Sequence, residues 1–402
     1  MENFIINNPK APPLALLGLI TSMSVMGLTV LTPALPLIRD EFATSSNTVQ
    51  NLITFYVLTL ALAQLFTGTL SDRFGRKPVL MFGIGLYSIS AILTLFVQSI
   101  EVLTFCRALQ GIGAAACMSM GRTIINDCFE RQQAAHAMST VQTLMSVVPM
   151  LSLAAGGILA EYYGWEGSMA VMSIAGILAW ALSLKLVVET NSNPSLSINL
   201  KNVIDAYSQV LRSPVYISFA MTSGLAVGSF FALNGFLPYQ YQRLGVSPTE
   251  FGVWFSLTPI FYFIGNSLNR AYFVSRGIEK AILLGCGLNL ISVLLLFFTQ
   301  YMGMTHPLSL AIPCCLYGLS NGVIVGNSTV GAINASGTNA GTGSGLVGAW
   351  QMTVGGLAGS AIIAFGGAEN FLLAAACLVA MSTAALLSIR YVYHRRAELN
   401  SI

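Results

Sequence analysis

Twelve stretches of this chain are each long and apolar enough to cross a lipid bilayer, and that repetition constrains the fold more than any single residue does. A helix needs about 20 mostly apolar residues to span the hydrocarbon core. Runs of that kind, bounded by charge, Pro or Gly, fall at 14–38, 50–70, 78–98, 101–125, 134–160, 167–188, 213–237, 250–272, 279–300, 307–331, 341–365 and 369–390. Of the 402 residues, 55% are hydrophobic and 8% charged, where a soluble domain carries roughly one quarter charged. The expected fold class is therefore an all-α integral membrane protein with twelve transmembrane helices. The first segment is too long for a signal peptide and runs into ALPLIRDEF without a small-residue cleavage pattern, so it should stay in the membrane.

An even number of crossings puts both termini on one side, and basic residues in short loops select the cytoplasmic side. With the termini inside, Lys10, Arg73, Arg76, Lys77, Arg131, Lys185, Lys201, Arg212, Arg270, Arg276, Lys280, Arg390, Arg395 and Arg396 are cytoplasmic, which is 14 of the 18 Lys and Arg. Arg39 and Arg243 lie outside, and Arg107 and Arg122 fall within the fourth segment. The net charge of +3 reflects this topology and not attraction to nucleic acid.

Enzymatic chemistry has no candidate residues. The seven cysteines lie in or beside apolar segments without metal-site spacing, and no Ser/His/Asp set, phosphate-binding Gly loop or HExxH is present. His136, His306 and His394 read as isolated polar residues near an interface. No cofactor or metal is expected.

The two halves resemble each other. LPLIRDEFATSSNTV at 35–49 and LPYQYQRLGVSPTEF at 237–251 share Leu-Pro, a short polar loop and a Ser-initiated next helix, and the offset of 202 also carries Gly75 onto Gly277. Between them, 189–212 is polar and Pro-containing, with Leu200, Val203, Ile204, Tyr207 and Leu211 at helical spacing, as expected of a linker lying on the inner membrane surface. The expected organisation is a six-helix half at 1–188, a cytoplasmic linker at 189–212 and a second six-helix half at 213–402. Two such repeats place a substrate site at their interface near the bilayer midplane and let one half rock against the other.

Residues 68–78, GTLSDRFGRKP, concentrate charge in the loop between the second and third segments. The stretch resembles the G-x-L-x-D-R-x-G-R-[KR] signature of the major facilitator superfamily, matching at Gly68, Leu70, Asp72, Arg73, Gly75, Arg76 and Lys77. RALQGIGAA from Arg107 resembles the fourth-helix motif of proton-coupled members, and PMLSLAAGG from Pro149 a loosened Pro-x-x-Gly-Gly motif of exporters. The placing of PALP and of RTIINDCF is similar to the bicyclomycin-resistance (Bcr/CflA) branch of drug:proton antiporters.

For gating, Gly68 and Gly75 permit close backbone approach, and Asp72 can face the partly positive start of the eleventh helix at GTGSG, 341–345. The resemblance implies that Arg73 and Arg76 reach Asp127, so that this cluster latches the halves on the inside. For the pathway, Arg107 is expected to face the cavity and Arg122 to be structural. Tyr56, Gln110, Asn234, Tyr262, Asn266, Asn289 and Asn321 are polar at plausible cavity depth. In the branch named, an acid commonly sits four residues before the Pro of PALP; here Thr29 stands there, and no Asp or Glu lies deep in any segment.

These features predict a secondary transporter of the bacterial inner membrane, a monomer in the lipid bilayer that exports a small drug-like compound or metabolite by alternating access. Protons enter as the coupling ion that the resemblance implies, whereas the missing acid predicts neutral or anionic substrates and weak dependence on a pH gradient. Two alternatives are a carrier, in either direction, for an anionic metabolite such as a carboxylate siderophore, and a non-transporting receptor on the same fold.

Overall fold

A computed structural model describes residues 11–191, 200–273, 277–337 and 340–399. Lys10 and Arg276 lie outside the described residues, as do the side chains of Arg131, His136, Lys201, Arg395 and Arg396 and those of Leu200, Val203 and Ile204 in the linker.

Helices α1 (Leu14–Thr29) and α2 (Leu35–Glu41) form one crossing joined by a 3-10 turn at Thr32–Ala34. Pro33 lacks an N–H and interrupts the helical ladder there, and the hydroxyls of Thr29 and Thr32 donate to the carbonyls of Val25 and Leu28 beside the break. Next come α3 (Ser46–Phe74), α4 (Arg76–Thr94), α5 (Ile100–Cys128) and α6 (Arg131–Leu186). The 56 residues of α6 would reach about 84 Å at 1.5 Å per residue, more than twice the hydrocarbon thickness. Gly164, at φ 67°, breaks it into two crossings. The short α7 (Leu200–Leu211) leads to α8 (Pro214–Arg243), α9 (Pro248–Leu268), α10 (Ile278–Tyr301), α11 (Leu308–Ala335), α12 (Ala340–Ala364) and α13 (Phe371–Leu399). With α6 counted as two, the described helices make twelve crossings.

The 202-residue repeat is visible in the geometry. Ser45 caps α3 by accepting from the Thr48 N–H, and Ser247 caps α9 by accepting from the Glu250 N–H. Gly75 and Gly277 start α4 and α10 at φ 97° and 101°, and Gly164 and Gly366 turn the chain at 67° and 88°. Equivalent positions also meet each other: Thr32 donates to Asn234 and Gln242 to Asp40, each pair 202 apart. These contacts mark the axis relating the two repeats.

The expected linker helix forms at α7, but its buried anchor is Val210, packed with Tyr216 and Phe219, and Leu211 is exposed.

We call the end carrying Arg73, Arg76, Lys77, Arg212, Arg270 and Lys280 the basic end and the opposite one the far end. At the far end the halves close tightly. A Cβ on Gly157 would lie 2.3 Å from the Pro248 carbonyl oxygen, and one on Gly252 2.5 Å from that of Leu153, so α6 and α9 touch backbone to backbone. Gln50, 1% exposed, wedges between Gly235 and Gly359, and Thr54 bonds to Ser360. Arg39 donates to Gln242 at 3.1 Å, and the Thr249 N–H donates to Glu161 at 3.1 Å. At the basic end the approach is absent at the positions that would carry it: Cβ atoms on Gly68 of α3 and Gly345 of α12 would meet open space. Among the described residues the seal is therefore continuous at the far end, while α3 and α12, still in contact at Gln64 and Gly348, leave Gly68 and Gly345 without a neighbour at the basic end.

If this glycine seam sets the seal, Gly157→Val should hold α6 off α9. A cysteine at position 50 (Gln50→Cys) should then react with maleimide several-fold faster than in the Gly157 background, read peptide by peptide by mass spectrometry. Equal rates would show that the seal does not depend on the seam.

Candidate functional site

A cavity of about 220 Å³ lies between the halves. It is lined by Val25 of α1, Met118 and Arg122 of α5, Met145, Ser146 and Pro149 of α6, Val227 and Phe230 of α8, Thr258, Pro259 and Tyr262 of α9, Tyr317 and Asn321 of α11, and Gln351 and Met352 of α12, with Gly318 and Val325 completing the wall. Glycines of α11 set the position of its α9 wall. Cβ atoms on Gly318 and Gly322 would lie 2.1 and 2.3 Å from the carbonyl oxygens of Thr258 and Tyr262, so only glycine lets α11 press those residues into place.

Two of the nine pathway residues read from the sequence, Tyr262 and Asn321, line this cavity. The Asn321 amide donates to the Ala226 carbonyl at 3.2 Å and accepts from Asn289, itself tied to Ser320 and Ser382. Asn266 is exposed on the last turn of α9, toward the basic end. Asn234 sits on the pseudo-symmetry axis in the far-end seal.

Of the other four, Arg107, Tyr56 and Gln110 cluster elsewhere, which corrects the expected placement of Arg107. Its guanidinium is 0% exposed and lies inside the first half of the chain, away from the central cavity. It donates to the Gly27 carbonyl and to Gln110 Oε1, both at 2.6 Å, and stacks over the Tyr56 ring at 4.2 Å. Tyr56 in turn donates to the Ser24 carbonyl at 2.7 Å. The cluster knits α1, α3 and α5 together: a carbonyl, an amide and a ring face meet the charge in place of an acid, while Arg107 Nε and Gln110 Nε2 keep no hydrogen bond among the described residues. Glycines bring those helices close enough: a Cβ on Gly111 would lie 2.2 Å from the Tyr56 carbonyl oxygen and one on Gly113 2.5 Å from that of Gly83. Thr29 is buried against Ser152 of α6, where it shares a hydroxyl–hydroxyl bond, and does not face the cavity.

Arg122, expected to be structural, is the charged residue in the described cavity lining. It has no hydrogen bond or ion pair among the described residues. It sits six residues from the end of α5, about 9 Å in from the basic end. Segment depth misassigned the two arginines, because depth along a helix says nothing about which of its faces looks into the gap between halves.

At the basic end, Arg76 bridges Asp72 and Asp127, the latter at 3.0 Å. Arg73 instead lies over the Phe74 ring at 5.3 Å. The described partners of Asp72 are all within the first half and linker, so its expected contact with the start of α12 is not made in this state; Gly341 of that start lies outside the described side chains. Sequence reasoning missed Glu189, which accepts from the backbone N–H groups of Arg76 at 2.8 Å and Lys77 at 3.1 Å. Thr190 donates to Asp127, and the Asn191 amide to the Ser71 and Asp72 carbonyls. An acid and an amide opening a polar linker, facing the uncapped start of α4, were the available signal.

Arg107→Ala leaves Gln110 and the Gly27 carbonyl unpaired and removes the ring contact, a loss of about 3 kcal/mol. Its expected signature is a lower melting temperature and lower membrane abundance; unchanged melting would refute the knitting role. Glu189 gives a pH test. Partial burial disfavours its charged form, but the N–H groups of Asn191, Arg76, Lys77 and Thr190 outweigh this and hold its carboxyl below the usual 4.5. A depressed folded value contributes stability above the unfolded one and loses it as pH falls through the folded one. The melting difference between the wild type and Glu189→Gln should therefore be present at pH 7 and shrink as the pH falls below 4.5.

The sequence profile of the Major Facilitator Superfamily matches residues 17–360. The chain is 23% identical over 348 residues to a bicyclomycin resistance protein homolog of Haemophilus influenzae, covering 86% of this chain and 87% of that one. It is 25% identical over 349 residues to multidrug resistance protein D of Escherichia coli K12, covering 84% and 85%. In fold it is similar to a crystal structure of a D-xylose-proton symporter, with TM-score 0.75, 13% identity and coverage of 92% and 96%. A bacterial homolog of the human lysosomal transporter Spinster, solved in an inward-facing, unoccupied conformation, gives TM-score 0.69 at 16% identity, covering 94% and 96%. With its twelve crossings, its repeat and the matched profile, the chain belongs to the major facilitator superfamily and is a multi-pass membrane transporter, not an enzyme.

Proposed function

We propose that this protein exports small drug-like compounds across the bacterial inner membrane by alternating access, its halves at 1–188 and 213–402 rocking about the pseudo-symmetry axis. The observation that carries this reading is the central cavity, walled by seven helices from both halves and closed off by tight contacts at the far end. Relatives named for resistance to bicyclomycin and to multiple drugs support export. The excess of Lys and Arg at the basic end supports cytoplasmic termini, which makes this conformation the one that loads from inside. The apolar walls suit drug-like bodies, and the methionines among them accommodate varied shapes.

Closing the basic end requires α3 and α12 to meet where Gly68 and Gly345 now face open space. In that state Asp72 faces the N-terminus of α12, and Arg76 and Asp127, braced by Glu189, hold the loop in register. Asp72→Asn should therefore slow efflux at least several-fold, with normal membrane abundance, when compounds loaded into cells are followed as they leave. Efflux at the wild-type rate would sink the latch, and a panel of resistance compounds that never leaves faster than from cells lacking the protein would sink the exporter reading.

A further inference from the structure

We infer that the substrate is an amphipathic monoanion, a small apolar body carrying one carboxylate or similar acid group, and that Arg122 holds that group in the central cavity. The inference rests on the exporter reading and names its substrate class.

The two deep arginines of α5 are treated in opposite ways. Arg107 is surrounded by acceptors and a ring face. Arg122 faces the gap between the halves with none of these among the described residues. Arg122 is only partly buried, so water can solvate its guanidinium in the empty cavity, and a ligand that displaces that water must match the charge. No Asp or Glu is among the described lining residues, so the empty site lacks one negative charge and a cationic ligand would meet Arg122 unopposed. Other polar groups of the wall, the Tyr317 hydroxyl and the Asn321 and Gln351 amides, are already hydrogen-bonded to protein, which leaves Arg122 to recognise charge. The remaining wall, including Met118, Met145, Phe230 and Met352, suits a hydrocarbon body. A topological anchor would face lipid headgroups; Arg122 instead faces the space that opens and closes.

The energetics of transport follow. After a full cycle the protein is back in its starting state, so the net charge moved is that of the substrate alone. A monoanion leaving the cytoplasm is driven by the interior-negative potential without a proton-carrying group. This accounts for a cavity whose described lining contains no acid or histidine.

The test uses three probes sharing one body: indole-3-acetate, indole-3-acetamide and tryptamine. With purified protein in nanodiscs, equilibrium dialysis should show the acetate binding about tenfold more tightly than the acetamide, with tryptamine weakest. Arg122→Gln should bring that preference near unity, and Arg122→Lys should keep part of it. Ligand-free Arg122→Gln should melt no lower than the wild type, since no hydrogen bond or ion pair among the described residues is lost; if it melts several degrees lower, retention of the preference by Arg122→Lys supports the proposal and its loss overturns it. In proteoliposomes, acetate flux should rise with a potential positive on the receiving side. No acetate binding at millimolar concentration, or a preference that survives in Arg122→Gln, overturns the proposal. Transport of drugs without carboxylate preference sinks it and leaves the exporter reading standing. Carboxylate-selective binding without transport of any member supports it and sinks the exporter reading.

Discussion

Close helix–helix approach through glycine is the contact on which the rest of this structure depends. In lipid there is no hydrophobic drive between helices, so association relies on van der Waals packing and on polar contacts. A Cβ at Gly111, Gly156, Gly252 or Gly318 would sit between 2.1 and 2.5 Å from a carbonyl oxygen of the neighbouring helix. These positions fix which helices touch. The adjacent pair Gly156 and Gly157 shows the division of labour: one glycine admits Val30 of the same half, the next admits Pro248 of the other. A single turn of α6 thus joins the stability of one half to the closure between halves.

Polar side chains then distribute according to which gap they enter. Within the halves many are bonded to their own half, as in the contacts of Arg107 with Gln110 and Gly27 or the reciprocal amide pair of Asn269 and Asn327. In the cavity between halves Tyr317, Asn321 and Gln351 are bonded as well, and Arg122 is the charged group without a bond among the described residues. A group satisfied by its own half travels with that half unchanged. A group that needs a partner across the gap gives the conformations different energies, which is the requirement for coupling ligand to motion.

The basic-end loop illustrates how local wiring prepares a long-range contact. Arg76 holds Asp72 and Asp127 together, and Glu189 pins the start of α4, so the signature loop is organised by its own half and the first linker residues. The far-end seal is built from contacts across the axis: Thr32 with Asn234, Asp40 with Gln242, and Gln50 between two glycines. Opening one end while closing the other exchanges one set for the other.

Hydropathy, charge and internal repetition determined the crossings, the 202-residue offset and the superfamily, because each is a property of residues in order along the chain. Ser45 and Ser247, or Gly75 and Gly277, were legible for that reason: a cap or a positive φ is a local requirement. The bond between Arg76 and Asp127 was expected only from the family signature. Which face of α5 looks into the cavity was not legible. Arg107 and Arg122 lie 15 positions apart on one helix, and their roles depend on rotation about its axis and on what packs against each face. Rotation is set by the glycine seams with α3 and α4. Tertiary packing alone therefore decided that Arg107 is enclosed and that Arg122 is left facing the cavity.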